Sequence, residues 1–178
     1  MKLASTLTLL VAITGASSRS VEKRNTPVRK VIVDLTDGLT DLWEVSRAFN
    51  GDMDPVVRSS DRLVEILKHG QEVADGADPI ELSDSYTLAE PTRALDARCK
   101  ALYKTLMAKV DQVRASRACG TTREKLMIIN DLSLHLIQTI IDKQVAPIAR
   151  GVAKRIARAI KKKFRTLIFA YDKENCPF

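Results

Sequence analysis

Aromatic side chains make up 4% of this 178-residue chain, which has 7 glycines, 6 prolines and 2 histidines. With turn formers and rings so sparse, and with long stretches of good helix formers, the composition reads as all-α. Enzyme signatures are missing too. There is no glycine-rich phosphate loop, no Gly-x-Ser-x-Gly and no paired Cys-x-x-Cys, and His69 and His135 lie far apart. No catalytic residue, cofactor or metal is expected. His135 shares a polar strip with Asp131 and Asp142, but that spacing matches no metal motif and reads as a solvated edge. No sequon is present, so N-glycan attachment is not expected.

What is present begins with a leader. Lys2, the apolar run Leu7 to Ile13, and the small residues Gly15 to Ser18 follow the order of a secretory signal peptide, giving residues 1–18 that role. Lys23-Arg24 offers a dibasic trimming site, so residues 19–24 read as a processed propeptide and 25–178 as one domain. No later apolar run reaches the twenty or so residues of a membrane span, which makes a soluble, exported product the expectation.

Charge is divided along the remainder. From Asn25 to Asp96 there are 7 basic and 15 acidic residues; from Ala97 to Phe178 there are 18 basic and 6 acidic. The first expectation is that helices of the two halves pack together and partly neutralise one another.

The helical seams can be placed. Thr26-Pro27 reads as a cap and first turn, followed by Val28, Ile32, Leu35, Leu39, Leu42 and Phe49 at helical steps and by Asn50-Gly51 as a stop. Trp43 lies beside that seam. Asp54-Pro55 opens a second helix in the same way, with Gly70 as its weak point. Ser83 caps a third that runs through Cys99, Leu102, Leu106 and Val113; at Pro91 either a short turn, Ser83 to Glu90, precedes the main helix or one long helix bends. Thr121 to Glu124 fits a capping box for a fourth, which should form a tight antiparallel hairpin with the third. Apolar residues from Leu126 to Ile141 cover roughly two-thirds of that fourth helix, so it should be central. Pro147 breaks the chain before a last helix, Ile148 to Tyr171. The expected architecture is an antiparallel bundle of about five helices.

The last helix is strongly polarised. Val152, Ile156, Ile160, Phe164, Leu167 and Tyr171 lie on one side, and Arg150, Lys154, Arg155, Arg158, Lys161, Lys162 and Arg165 largely on the other. Lys163 falls within the apolar stripe, where its ammonium must snorkel to the edge or meet a carboxylate. The basic face suits a solvated surface, then anionic lipid or cell-wall polymer; nucleic acid is disfavoured by export and by scarce stacking rings. Of three cysteines, Cys99 sits on an apolar stripe, whereas Cys119 and Cys176 end helices that an up-down bundle brings to one side. Those two are expected to pair, the alternative being three free thiols.

Arg47-Ala48-Phe49-Asn50-Gly51, then Val57, Ser60, Leu63, Leu67 and Gly70, Ile80-Glu81-Leu82-Ser83 leading to Leu88 and Pro91, and Lys143-Gln144-Val145-Ala146-Pro147 form a recognisable order. It resembles the fungal hydrophobic surface binding protein A and cell-wall galactomannoprotein family over about Val31 to Tyr171. The resemblance implies a secreted five-helix bundle without catalytic residues that adsorbs to hydrophobic surfaces or holds a fatty acyl chain, outside the cell or in the wall. The chain departs from that pattern in having no Ser/Thr-rich tail or lipid-anchor signal and in its basic last helix, which weigh against a wall-anchored role. The candidate apolar site comprises Leu132, Ile137, Ile156 and Phe164 around the acyl chain, with Lys163 at its headgroup. Rival classes are a cationic membrane-active effector using the last helix and a structural wall protein. N-terminal sequencing of exported protein should find a start near Asn25, or at Ser17 to Arg19 if the dibasic site is not cut; a start at Met1 would remove the exported reading.

Overall fold

A computed structural model describes residues 26–80, 86–144 and 150–177. The expected leader at 1–18, the segment at 19–24, the cap at Ser83 and the break at Pro147 lie outside these residues. The described residues form six helices and no strand: α1 (Pro27–Ala48), α2 (Asp54–Gly76), α3 (Ala89–Ala108), a six-residue α4 (Val110–Ala115), α5 (Cys119–Thr139) and α6 (Arg150–Ala170). A 3-10 turn, Tyr86–Leu88, leads into α3, and a π turn, Ile140–Gln144, ends α5.

The first helix starts as its sequence dictates. Thr26 Oγ1 accepts the Arg29 N–H at 3.2 Å, and Pro27 follows where its missing N–H costs no hydrogen bond. Its seam of Val28, Val31, Ile32, Leu35, Leu39 and Leu42 is buried, with Ser46 taking the next position inside. Two glycines let the neighbours close on it. A Cβ at Gly38 would stand 2.7 Å from Ile66 Cδ1, and one at Gly70 would stand 2.9 Å from Val31 Cγ1. Gly70 is therefore a packing contact of α2, not the weak point its sequence suggests. At the turn, Gly51 adopts φ 114°, a conformation glycine reaches without strain.

Two caps differ from the sequence reading. Met53, not Asp54, precedes α2; Asp54 is helical and donates its N–H to Asp52 Oδ1 at 3.0 Å. Thr121 and Glu124 lie inside α5, because the helix starts at Cys119 with Ala118 before it and no side-chain cap. Pro91 sits in the first turn of α3, where a proline removes no intrahelical bond, and the 3-10 turn Tyr86–Leu88 precedes the helix, in keeping with a short turn before the main helix and not one long bent helix.

The helices are arranged as a ring. Helix α1 packs against α2 and α3, α2 against α5, and α6 closes the circuit by touching α5 and α3. Thus α1 and α2 have the longest interfaces, and α1 buries one face, Val28 to Ser46, while Lys30, Val33, Asp37 and Glu44 remain exposed. The expectation that the Leu126 to Ile141 segment is central does not hold: Leu126, Ile129, Leu136 and Ile141 are buried, but Met127 and Ile128 are 39% and 37% exposed. Nor do α3 and α5 form a tight hairpin. The short α4 and a turn at Arg117, φ 56°, intervene, and α3 and α5 make no main interface.

The ring is fastened at one end. Cys119 and Cys176 are joined by a disulfide, with Cα atoms 5.8 Å apart. Nearby, the buried Tyr171 hydroxyl donates to the Leu106 carbonyl at 2.6 Å, and burial pushes its pKa well above the usual phenol value. Cys176 N–H donates to Asp172 O at 2.8 Å, and Arg114 donates to Asn175 O. On the adjoining helices, Lys109 Nζ and Gln112 Nε2 both donate to the Phe49 carbonyl, at 3.0 and 2.9 Å, satisfying the end of α1.

The bridge closes a loop spanning 57 residues, for which chain entropy gives a stabilisation on the order of 4 kcal/mol. Replacing both Cys119 and Cys176 with serine should lower unfolding free energy by up to about that amount in denaturant titrations. Hydrogen exchange should rise first in the last turns of α6; uniform exchange along the chain would show that the bridge does not anchor this helix.

Candidate functional site

Because α3 and α5 are held apart, the ring has an interior that its side chains do not completely fill. A void of about 50 Å3 lies between Leu39 and Leu42 of α1, Leu102 and Leu106 of α3, Leu126 and Ile129 of α5, and Ile160, Phe164 and Leu167 of α6, with Cys99, Tyr103 and Lys163 completing its wall. Two smaller voids continue from it. One of about 30 Å3 shares Leu42, Leu106, Leu126 and Ile129 and extends to Met53, Val56, Ser60 and Lys125. Another of about 20 Å3 shares Ser46, Met53, Val56, Leu106 and Thr122 with the second and ends at Phe49, Lys109 and Val113.

Chemically the walls are apolar with few polar atoms. Lys163 is half-buried on the first wall and makes no ion pair among the described residues. Lys125, by contrast, is already held by Asp61 at 2.5 Å, so a second carboxylate there would meet a negative charge. The buried Ser46 and Thr122 hydroxyls line the inner voids and have no hydrogen-bond partner among the described residues. Cys99 is a free thiol beside Lys163. Its pKa is pushed up to about 11, chiefly by burial and further by the Asp96 charge, with Lys163 acting in the opposite direction.

Of the residues expected at an apolar site, the structure brings Lys163 and Phe164 together on one wall. Leu132 is half-buried against the main core and Ile137 is half-buried on α5, while Ile156 is 37% exposed; none of these three lines the voids. The residues that do so include Leu39, Leu42, Leu102, Leu106 and Leu126, each on a helical seam visible in the sequence. Their convergence depends on the ring order, which the seams do not encode.

Outside the voids, two features matter. Trp43 is half-buried, donates Nε1–H to Thr105 Oγ1 at 3.1 Å and lies beneath the Arg47 and Arg98 guanidiniums, 4.9 and 5.0 Å from the ring centre. The expected neutralisation between halves is restricted to other places, with Lys125 on Asp61 and Lys143 on Asp75 linking α5 to α2. Lys154, Arg155, Arg158, Lys161, Lys162 and Arg165 of α6 are exposed and meet no acid among the described residues.

A ring of amphipathic helices around an incompletely filled apolar interior defines an all-α helical bundle. Residues 26–142 match the family model for hydrophobic surface binding protein A, and the chain belongs to that family. It is similar to cell wall mannoprotein 1 of Aspergillus flavus, 25% identical over 166 residues covering 91% of this chain and 61% of the relative. The Aspergillus fumigatus protein of the same name is 24% identical over 163 residues, covering 89% and 57%. The chain thus spans about three-fifths of the length of these relatives. Its fold is that of ligand binding domain 1 of Penicillium marneffei MP1 protein, solved with arachidonic acids, at TM-score 0.78 and 14% identity, covering 82% of this chain and 97% of that one. Domain 2 of the same protein, solved with multiple arachidonic acids, gives 0.78 at 15% identity, covering 82% and 94%.

The environment of Cys99 has a direct consequence. Only the thiolate is nucleophilic, and burial disfavours it, so Cys99 in the native protein should alkylate far more slowly at pH 8 than an unfolded thiol. The rate should climb as pH approaches 11. Native labelling at the denatured rate would show that the cavity wall is open to water at this point.

Proposed function

We propose that the protein is a non-catalytic binder of hydrophobic surfaces and lipids that takes a fatty acyl chain into the bundle interior, with Lys163 pairing the carboxylate. It acts outside the cell or in the cell wall. The carrying observation is the first void: an apolar wall drawn from α1, α3, α5 and α6, bordered by an ammonium with no carboxylate partner among the described residues. Membership of the hydrophobic surface binding family and a fold shared with domains solved with arachidonic acids support the same reading.

Size adds a requirement. A benzene-sized guest needs about 150 Å3, so the three voids, of about 50, 30 and 20 Å3, take an acyl chain only if side chains or helices give way. Helix α6 is suited to yield. Its last turns are fastened, with Leu167 and Tyr171 buried, whereas Lys154 to Ile156, Arg158 and Ala159 are exposed. Opening at that end separates Ile160, Lys163 and Phe164 from the facing leucines while the bridge holds. Of the expected residues, Lys163 and Phe164 border the void from the outset, whereas Leu132, Ile137 and Ile156 lie outside it.

Lys163→Met tests the assignment. A charge-assisted hydrogen bond to a carboxylate contributes about 1 to 3 kcal/mol, so the variant should lose roughly tenfold to a hundredfold in affinity for a long-chain fatty acid. Affinity for the neutral methyl ester should stay unchanged. Equal fatty-acid affinities in both proteins would mean that apolar contact alone holds the ligand, and absence of binding to acid and ester alike would reject the acyl reading.

A further inference from the structure

Helix α6 carries a second surface, opposite the one that walls the void. Arg158, Lys162, Arg165 and Phe169 follow one another at steps of four, three and four, the spacing that aligns side chains along one helical face. Lys154, Arg155 and Lys161 flank that line. All six cations are exposed, and none is ion-paired among the described residues; Arg158 makes only a 3.4 Å bond to the Lys154 carbonyl within its own helix. At the end of the line Phe169 is 62% exposed, the highest value of any large apolar side chain described. Its ring is left in water although Phe164 and Leu167 of the same helix, and Tyr171 just after it, turn inward.

A purely solvated face would account for the cations but not for an exposed phenyl ring among them. The apolar face of α6 is kept by the bundle, so a bilayer would meet the row of unpaired cations, which suit lipid phosphates, and the one exposed ring at its end, which reaches the acyl boundary. None of the described helices is long and apolar enough to cross a membrane, so such contact is peripheral. We propose that the outer face of α6 docks on anionic lipid bilayers, with Arg158, Lys162 and Arg165 at the headgroups and Phe169 inserted beside them. Soluble polyanions satisfy the charge but give the phenyl ring nothing to enter. The surface uses none of the void-lining residues and goes beyond the acyl-binding reading.

Vesicle co-sedimentation of the whole protein tests the proposal. Vesicles of mixed phosphatidylserine and phosphatidylcholine should bind it, and vesicles of phosphatidylcholine alone should bind it far less. The triple change Arg158→Gln, Lys162→Gln, Arg165→Gln should weaken binding by about two orders of magnitude, and Phe169→Ser by about tenfold. Circular dichroism and acyl binding without vesicles should be unchanged in both variants, since these side chains are exposed. The wild type alone gives an independent readout: its binding should fall steeply between low and high salt. Equal binding to both vesicle types, salt-independent binding, or undiminished binding of the triple variant would overturn the proposal. So would equal affinity for dextran sulfate with no effect of Phe169→Ser, which would mark a general polyanion patch.

Discussion

The fastening of α6 at its C-terminal end is the constraint on which the rest of the arrangement depends. The Cys119–Cys176 bridge, the Tyr171 hydroxyl on the Leu106 carbonyl and the buried Leu167 hold the last turns of α6 against the ends of α3 and α5. Each is a strong local restraint: a covalent loop closure, a buried hydrogen bond that is costly to leave unmade, and a filled core position. Together they fix the rotation of α6 about its own axis. Once that rotation is set, Ile160, Lys163 and Phe164 face the interior and Arg158, Lys162, Arg165 and Phe169 face outward.

The opposite side of the ring is built on close approach. Gly38 and Gly70 let α1 and α2 meet with little side-chain thickness between them, and Leu63, Leu67 and Val31 fill the seam. Across the ring, α3, α5 and α6 touch one another less extensively. The three voids lie where these helices face α1 and the start of α2, the first reaching Leu39 and Leu42 and the other two Ser46, Met53 and Val56. In protein interiors empty space forfeits dispersion contacts, so the side chains around these voids have the most to gain from an apolar guest.

Electrostatics differ around the ring. Two acids of α2 are engaged by α5 and the π turn that ends it, through Asp61 with Lys125 and Asp75 with Lys143. Hydrogen bonds from Gln71 and then Lys143 hold the Asp75 carboxyl below its usual range. The six exposed cations from Lys154 to Arg165 get no such partner among the described residues, so the opposite charges of the two halves cancel only in part, where the α5 segment meets α2. A net count along the chain cannot foresee this, because ion pairing requires adjacency and α6 borders α3 and α5, whose neighbouring faces are apolar.

The all-α class, the helix at Pro27–Ala48 with its Thr26 cap, the polarised last helix and the family resemblance were all legible in the amino-acid order, because helical periodicity and proline or glycine punctuation are local properties. Lys163 and Phe164 were legible as a cation and a ring on an apolar stripe. Tertiary structure alone decided that α5 is one member of a ring and not its centre, and that α3 and α5 stand apart. It also decided that Leu39, Leu42, Leu102 and Leu106 meet those two residues, while Leu132, Ile137 and Ile156 lie elsewhere. A stripe on one helix states that a face will be covered; which helix covers it, and how completely, depends on the order in which the ring closes.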